Sequence, residues 1–290
     1  MQRVAFVTDK KWVDLTPDDR LAIPACAAVG IEVVPAIWSD QRIDWRSFAA
    51  VVVRSTWDYH LRPAAFDAWL SVLAQARVNI WNPVTVLRWN AHKSYLLELA
   101  GHGIAIPGTR LFKQGSAVNL RVLLADEQWR GAVIKPAVSA SSYRTHRVTG
   151  APSLQQQLAL ETILADGDAL MQEFVDEITI DGEWAMVFLA GRFSHAVPRR
   201  PKGGDFRVQE ELGGSQTAGQ PPQRVLAVAE RVLALAPAAT LYARVDVVDA
   251  KRGPLLMELE LLEPALYFGY AEGAAERFAG AIKDRVDQRV

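Results

Sequence analysis

The chain has 290 residues, half of them hydrophobic, and its 32 Lys plus Arg against 33 Asp plus Glu leave a net charge of −1. This balance, without a basic stripe, argues against a partner that is nucleic acid or an anionic membrane. No apolar run approaches the ~20 residues that cross a bilayer, no secretory segment precedes the first strand, and the single cysteine, Cys26, excludes a disulfide framework. We therefore expect a cytoplasmic protein, with two domains more plausible than one at this length.

The first third of the chain alternates short apolar runs with helix-like segments. The predicted strands are RVAFVT, IEVVPAIW, AAVVV and NIW, and the predicted helices are TPDDRLAIPACAAVG and RPAAFDAWLSVLAQAR. Alternation of this kind predicts a parallel sheet covered by helices on both faces. We assign it to an N-terminal α/β domain of residues 1–88.

Hydrogen-bonding and aromatic groups follow the third predicted strand, and those we expect to bind substrate are Arg54, Thr56, Trp57, Asp58 and Tyr59. Ligands of parallel sheets bind beyond the carboxyl ends of the strands, which is where this cluster falls. An acid among aromatic rings suits an ammonium group, so Asp58 would bind one and Arg54 would pair with a carboxylate or phosphate. The alternative is that the rings pack on the following helix while Arg54 and Asp58 form a local ion pair.

From about Trp89 the pattern changes to antiparallel hairpins with flanking helices. NAHKSYLLELAGHG is predicted as one helix, capped by Asn90 and ended by Gly103. The stretches ITIDGEWAMVFLAGRFSHAVPRR and LYARVDVVDAKRGPLLMELELLEP are predicted hairpins. This α+β part comprises residues 89–290, with subdomains at about 89–172 and 173–290.

The second hairpin carries a pattern of carboxylates. Residues two apart in a strand face the same side, so Glu258 and Glu260 project together, and pairing of the strands would bring Asp246 to them. Three carboxylates on one face repel one another unless a cation such as Mg²⁺ neutralises them. The alternative is a solvated face on which Arg244 balances the acids.

Several cations and one apolar strand end complete the candidate site. Lys135 ends the apolar run VIKP before the small-residue loop AVSASS, and Lys93 could reach the same phosphate. Arg207 lies between two glycine pairs in RRPKGGDFRVQEELGG. MQEFVDE could form an adenine slot. Each of these is compatible with an ordinary surface or core position when taken alone.

The order of these motifs resembles the ATP-grasp superfamily of carboxylate–amine ligases, and more closely its glutathione-synthetase-like branch. The resemblance covers about Trp89 to Tyr267, and the RSTWDY cluster with the ELELLEP ending is similar to the D-cycloserine synthetase family. It implies that the α/β domain is followed in the chain by an ATP-grasp domain, whose two subdomains clasp ATP. The residues that it implies for ATP are Lys93, Lys135, Ser142, Glu173, Phe174, Val175, Asp176 and Glu177.

The resemblance also implies catalytic roles for Arg207 and Arg244, and Mg²⁺ held by Asp246, Glu258 and Glu260. The implied reaction phosphorylates a carboxylate with ATP, and an amine then attacks the acyl phosphate. The substrate would be a small amino-acid-like molecule, the product linear or cyclic, and a homo-oligomer is compatible with the family. Glu260 departs from the Asn common at that position, and serines replace glycines in the phosphate loop.

Two other functions remain as alternatives. A dinucleotide-dependent oxidoreductase would fit the α/β domain, but the first strand is followed by TDKKWVDL, which has no glycine for a pyrophosphate to approach. A non-catalytic ATP-binding protein would not need the full set of lysines, arginines and carboxylates.

Overall fold

The computed structural model describes residues 1–209 and 212–288, which form three β-sheets with flanking helices. The first sheet is parallel, with strand order β2-β1-β3-β4. Its strands are β1 (Gln2–Thr8), β2 (Ile31–Ile37), β3 (Ala50–Ser55) and β4 (Ile80–Trp81), and its helices are α1 (Pro17–Ala28) and α2 (Pro63–Gln75). The predicted parallel sheet with helices on both faces is therefore confirmed.

Local sequence explains where these helices start. Thr16 caps α1 by accepting a hydrogen bond from the backbone N–H of Asp19 at 3.1 Å, and Pro17 occupies the first helical position, where no N–H is needed. One face of the sheet packs on α1 and the other on α2, with Phe6 and Val52 pointing to the first and Val7 and Val53 to the second.

The second sheet is antiparallel and has the order β5-β8-β6-β7. Its strands are β5 (Thr109–Phe112), β6 (Gly131–Pro136), β7 (His146–Thr149) and β8 (Ala169–Glu173), and its helices are α5 (Leu120–Asp126) and α6 (Leu154–Asp166). Ser153 and Gln156 form a capping box at the start of α6. The strands β5 and β7 were not predicted, because four residues each carry too short a pattern.

The third sheet is antiparallel, with the order β11-β10-β9-β12-β13. Its strands are β9 (Glu183–Leu189), β10 (Arg192–Arg200), β11 (Ser215–Gln216), β12 (Tyr242–Ala250) and β13 (Gly253–Glu260), and helix α7 (Gln223–Ala234) packs on it. Ala190 and Gly191, both with positive φ, turn the first hairpin. Both predicted hairpins are confirmed.

The predicted helix NAHKSYLLELAGHG is wrong in two respects. It is broken into α3 (Val84–Ala91) and α4 (Tyr95–Gly101), and Lys93 lies at the break, where its backbone N–H donates to the carbonyl of Ala137 at 2.8 Å. Asn90 is not a cap but a buried side chain inside α3 that bonds the backbone of Leu259 and Leu261, both at 2.7 Å. Because the Asn90 side chain is used by these backbone groups, it cannot cap a helix end.

The last helix, α8 (Ala274–Asp287), packs against the first strand of the chain. Phe278 and Ile282 pack with Phe6 on the same face of the first sheet as α1. The residues after 88 therefore complete the core of the N-terminal sheet. No helix in the described part of the chain is both long enough and apolar enough to cross a membrane.

Candidate active site

A cavity of about 440 Å³ lies where the three sheets meet, within the size range of small-molecule sites. Its walls include residues of α1, β6, β8, β13 and the loop after β3. The predicted site residues that line it are Trp57, Tyr59, Lys93, Lys135, Ser142, Glu173, Phe174, Val175, Arg207, Arg244, Glu258 and Glu260. The structure thus brings together most of the residues that the sequence singled out.

The β12–β13 hairpin brings the three predicted carboxylates together. Asp246 pairs with Glu258 and Arg244 with Glu260 in the strand register, and a bulge follows Asp246. Oxygens of Asp246, Glu258 and Glu260 lie within 4.8 Å of one another, a spacing that suits one divalent cation. Glu258 and Glu260 line the cavity, whereas Asp246 is only 1% exposed and lies behind them.

A buried ion network supports these acids from the neighbouring strands. Arg199 bonds Glu183 at 2.5 Å and Asp246 at 2.6 Å, and Arg244 bonds Asp246 at 3.0 Å and also Glu260. Burial raises the pKa of Glu183 and of Glu260 to about 7 in spite of the arginines. The network therefore contains carboxylates that a bound cation would keep ionised.

Arg199 and Glu183 were missed as site residues. They lie opposite each other on β10 and β9; Arg199 opens the arginine-containing motif RRPKGGDFRVQEELGG, but neither residue was assigned a role in the site. The signal that could have found them is a pair of opposite charges in otherwise apolar antiparallel strands. To recognise such a pair, one must know the register of the hairpin.

The two lysines differ in their partners. The Lys93 ammonium contacts the carboxylate of Glu258, and although burial opposes its charge, Glu258 raises its pKa. Lys135 forms no hydrogen bond or ion pair with residues 1–209 or 212–288, and burial lowers its pKa to about 8. Burial alone would raise the pKa of Glu258, but Lys93 and Lys135 outweigh it and hold that pKa at about 2.

An apolar portion of the cavity lies beside β8. Phe174 and Val175, which the sequence predicted, are joined by Ile178, Phe206 and Met257, which it did not. The rings of Phe174 and Phe206 meet edge to face at 5.9 Å. Flat apolar walls with backbone groups at a strand end suit a nucleobase.

Asp176 and Glu177 do not line this cavity. Asp176 is exposed, and a Glu177 oxygen accepts the backbone N–H of Lys251 at 3.1 Å, so it fastens the β12–β13 turn. Glu173 does line the cavity and is paired with Arg252 at 2.6 Å. If an acid contacts a ribose here, the structure favours Glu173 over the two acids that follow it.

Arg207 and Ser142 lie on loops at the cavity wall. Arg207 pairs with Asp205 at 2.7 Å, and Ser142 has a left-handed backbone with φ of 55°. The predicted loop RRPKGGDFRVQEELGG includes residues 210 and 211, which lie outside the described residues.

The prediction that Arg54 contacts substrate does not agree with the position of its side chain. Its side chain is 1% exposed, does not line the cavity, and bonds Asp19 at 2.8 Å and the carbonyl of Pro264 at 2.9 Å. Its guanidinium also lies 5.0 Å from the ring centroid of Tyr242. The sequence could not show this, because Asp19 and Pro264 are 35 and 210 residues away.

The predicted substrate contacts of Asp58 and Thr56 do not agree with the structure either. Asp58 accepts from the indole N–H of Trp38 at 2.6 Å and pairs with Arg62 at 2.5 Å, and neither Asp58 nor the fully buried Thr56 lines the cavity. Trp57 and Tyr59 do line it. The aromatic rings of this cluster therefore line the cavity, whereas Arg54 and Asp58 are paired with other side chains of the protein.

Comparison with known proteins supports this geometry. Residues 4–82 match the family model described as the N-terminal domain of D-cycloserine synthetase DcsG. The cycloserine biosynthesis protein DcsG of Streptomyces lavendulae is 30% identical over 298 residues, which cover 98% of each chain. The crystal structure of D-cycloserine synthetase DcsG matches with a TM-score of 0.88 and 28% identity, over 98% of this chain and 99% of that one.

A more distant match shows the same fold. D-alanine–D-alanine ligase of Bacillus anthracis, in a crystal structure with ATP, has a TM-score of 0.71 at 14% identity and covers 100% of this chain and 98% of that one. Together with the relatives at about 30% identity, the fold shows that the chain is an ATP-grasp ligase, an ATP-dependent enzyme that joins a carboxylate to an amine. Within that class, it belongs to the family of the D-cycloserine synthetase DcsG.

Proposed function

We propose that this ligase closes a ring within one amino-acid-like molecule, as the name of its D-cycloserine synthetase relatives indicates. The observation that carries the proposal is similarity over 98% of both chains, which includes the N-terminal domain whose Trp57 and Tyr59 line the cavity. The substrate would carry a carboxylate for activation and an amine near enough to attack it.

The described side chains fit the implied reaction. Lys93, Lys135 and Arg207 would bind the phosphates of ATP, and the apolar portion beside Phe174 would take the base. The oxygen-rich set of Asp246, Glu258 and Glu260 fits Mg²⁺, which when bound neutralises charge on the phosphates. Arg244 would stabilise the charge that develops as the substrate carboxylate takes up the phosphoryl group.

Lys135 should make nucleotide affinity depend on pH. Its pKa is about 8 in the empty protein, and contact with phosphate favours the charged form and raises that pKa. Its contribution is therefore fully present below pH 8 and is lost as the pH rises through 8 toward the higher pKa of the complex. Calorimetry with a non-hydrolysable ATP analogue and Mg²⁺ should show this fall in affinity.

The Lys135→Met variant should bind the analogue about 10-fold more weakly at pH 7 and lose the pH dependence near 8. Lys113→Met is the matched control, because Lys113 is exposed and pairs with Asp168 at the surface. An unchanged profile in Lys135→Met would show that Lys135 does not contact the phosphates.

Ring closure can be tested with one acyclic compound. Hydrolysis of the cycloserine ring gives 2-amino-3-aminooxypropanoic acid, which carries both reacting groups. With ATP and Mg²⁺ as the only additions, we expect ADP and a cyclic product lighter than the acid by one water, detected by mass spectrometry. ADP release only after a second amine is added, with a linear condensed product, would contradict the proposal.

A further inference from the structure

Among residues 1–209 and 212–288, six carboxylates line the cavity, and five of them already have a partner. Asp18 accepts three backbone N–H groups, and the others pair with arginine or lysine, namely Glu173 with Arg252, Glu183 with Arg199, Glu258 with Lys93 and Glu260 with Arg244. Glu263 is the exception: within residues 1–209 and 212–288 its carboxylate has no hydrogen bond or ion pair. Its oxygens are not sealed off and remain accessible from the cavity.

The backbone around Glu263 is fixed by residues from distant parts of the chain. The indole N–H of Trp57 donates to the Glu263 carbonyl at 3.0 Å, and Arg54 donates to the next carbonyl, that of Pro264, at 2.9 Å. The hydroxyl of Tyr242 lies 2.9 Å from the preceding carbonyl, that of Leu262, and 2.6 Å from the carbonyl of Val53, so the two carbonyls share its single proton. Three successive carbonyls are thus held although they lie outside any strand or helix.

The same irregular segment is also fixed just beyond Pro264. Arg244 donates to the carbonyl of Ala265 at 3.2 Å, and Asp18 accepts the N–H groups of Leu266, Tyr267 and Phe268 at 2.7 to 2.9 Å. Such dense support preorganises the side chains that the segment presents. Among them, Glu263 has the charge that could recognise a ligand.

We propose that Glu263 binds the ammonium group that the substrate carries beside the reacting carboxylate, and so selects amino acids over the corresponding acids without that amine. This inference rests on the proposed function for the identity of the substrate. It replaces Asp58 as the ammonium-binding acid, because the Asp58 oxygens are used by Trp38 and Arg62.

Three features favour an ammonium group over other occupants of this position. The three-carboxylate group suited to a metal cation comprises Asp246, Glu258 and Glu260 without Glu263, and an anionic partner would gain no opposite charge from Glu263. The rings of Trp57 and Tyr59 line the same cavity and suit a cation. Burial also raises the pKa of Glu263 to about 8, because Lys93 and Arg244 only partly offset it, so an arriving ammonium group would add the positive charge that favours the ionised carboxylate.

The test compares two substrates in two proteins. 2-Amino-3-aminooxypropanoic acid has the ammonium group, and 3-aminooxypropanoic acid differs only in lacking it. We expect wild type to prefer the first by about 10- to 100-fold in kcat/KM for ADP release, and Glu263→Gln, which keeps the shape of the side chain, to lose most of that preference. Glu32→Gln, at an exposed position on β2, should keep it.

Each outcome separates the inference from the proposed function. Retention of the full preference by folded Glu263→Gln, or its absence from wild type, would overturn the ammonium role. Preference in wild type that Glu263→Gln loses, but with a linear product, would support Glu263 and overturn ring closure. Binding of the nucleotide analogue by Glu263→Gln with wild-type affinity would show that the variant is folded and that its defect concerns the amino acid.

Discussion

Replacing Glu258 with Gln is expected to reduce ATP turnover by about 10³-fold or more. Glu258 lines the cavity, contacts Lys93 and shares with Asp246 and Glu260 the position suited to Mg²⁺. If Glu258 holds Mg²⁺ as proposed, loss of its charge weakens stabilisation of the transferred phosphoryl group by several kcal/mol, and each ~1.4 kcal/mol is tenfold in rate.

The same substitution should also lower stability, since Lys93 is 8% exposed and loses its charged partner. A cost of about 1–3 kcal/mol is expected, because the amide of Gln still accepts one hydrogen bond. Substrate-stimulated ADP release measured on folded protein separates the two effects, with Glu161→Gln on the exposed side of α6 as control. Wild-type turnover in folded Glu258→Gln would remove the hairpin from the site.

Replacing Arg54 with Ala is expected to destabilise the protein by about 3–5 kcal/mol. Arg54 and Asp19 form an ion pair whose side chains are 1% and 3% exposed, and removal of one member leaves a buried, uncompensated charge. The variant also loses the hydrogen bond to Pro264 and the contact with the Tyr242 ring. Urea denaturation followed by circular dichroism measures the effect.

The matched control is Arg42→Ala, because Arg42 pairs with Asp40 at the surface and its side chain is 90% exposed. Its unfolding midpoint should match that of wild type. An Arg54→Ala protein of wild-type stability whose only defect is a raised KM for the amino acid would show that Arg54 contacts substrate after all.

The carboxylates of the β12–β13 hairpin could be predicted from the sequence because their positions depend only on the two-residue period of a strand and on one short turn. Asp246, Glu258 and Glu260 lie within fifteen residues of one another, so local pairing determines their geometry. The α/β alternation of the first third is equally local. These parts of the prediction follow from periodicity alone.

Contacts between distant residues could not be predicted in this way. Arg54 and Asp58 were assigned to substrate because their partners, Asp19 in α1 and Trp38 just after β2, are distant in sequence. Glu263 was passed over because it follows a strand in an irregular segment, and its exposure to the cavity depends on Trp57, 206 residues away.

The central claim, that this cavity activates a carboxylate as an acyl phosphate, is tested most directly by isotope transfer. The substrate is 2-amino-3-aminooxypropanoic acid with ¹⁸O at both carboxylate oxygens, incubated with wild-type protein, ATP and Mg²⁺. A carboxylate oxygen that attacks the terminal phosphorus leaves with phosphate when the amine displaces it. The account predicts one ¹⁸O in each inorganic phosphate released with product, and product formation with phosphate free of ¹⁸O would contradict it.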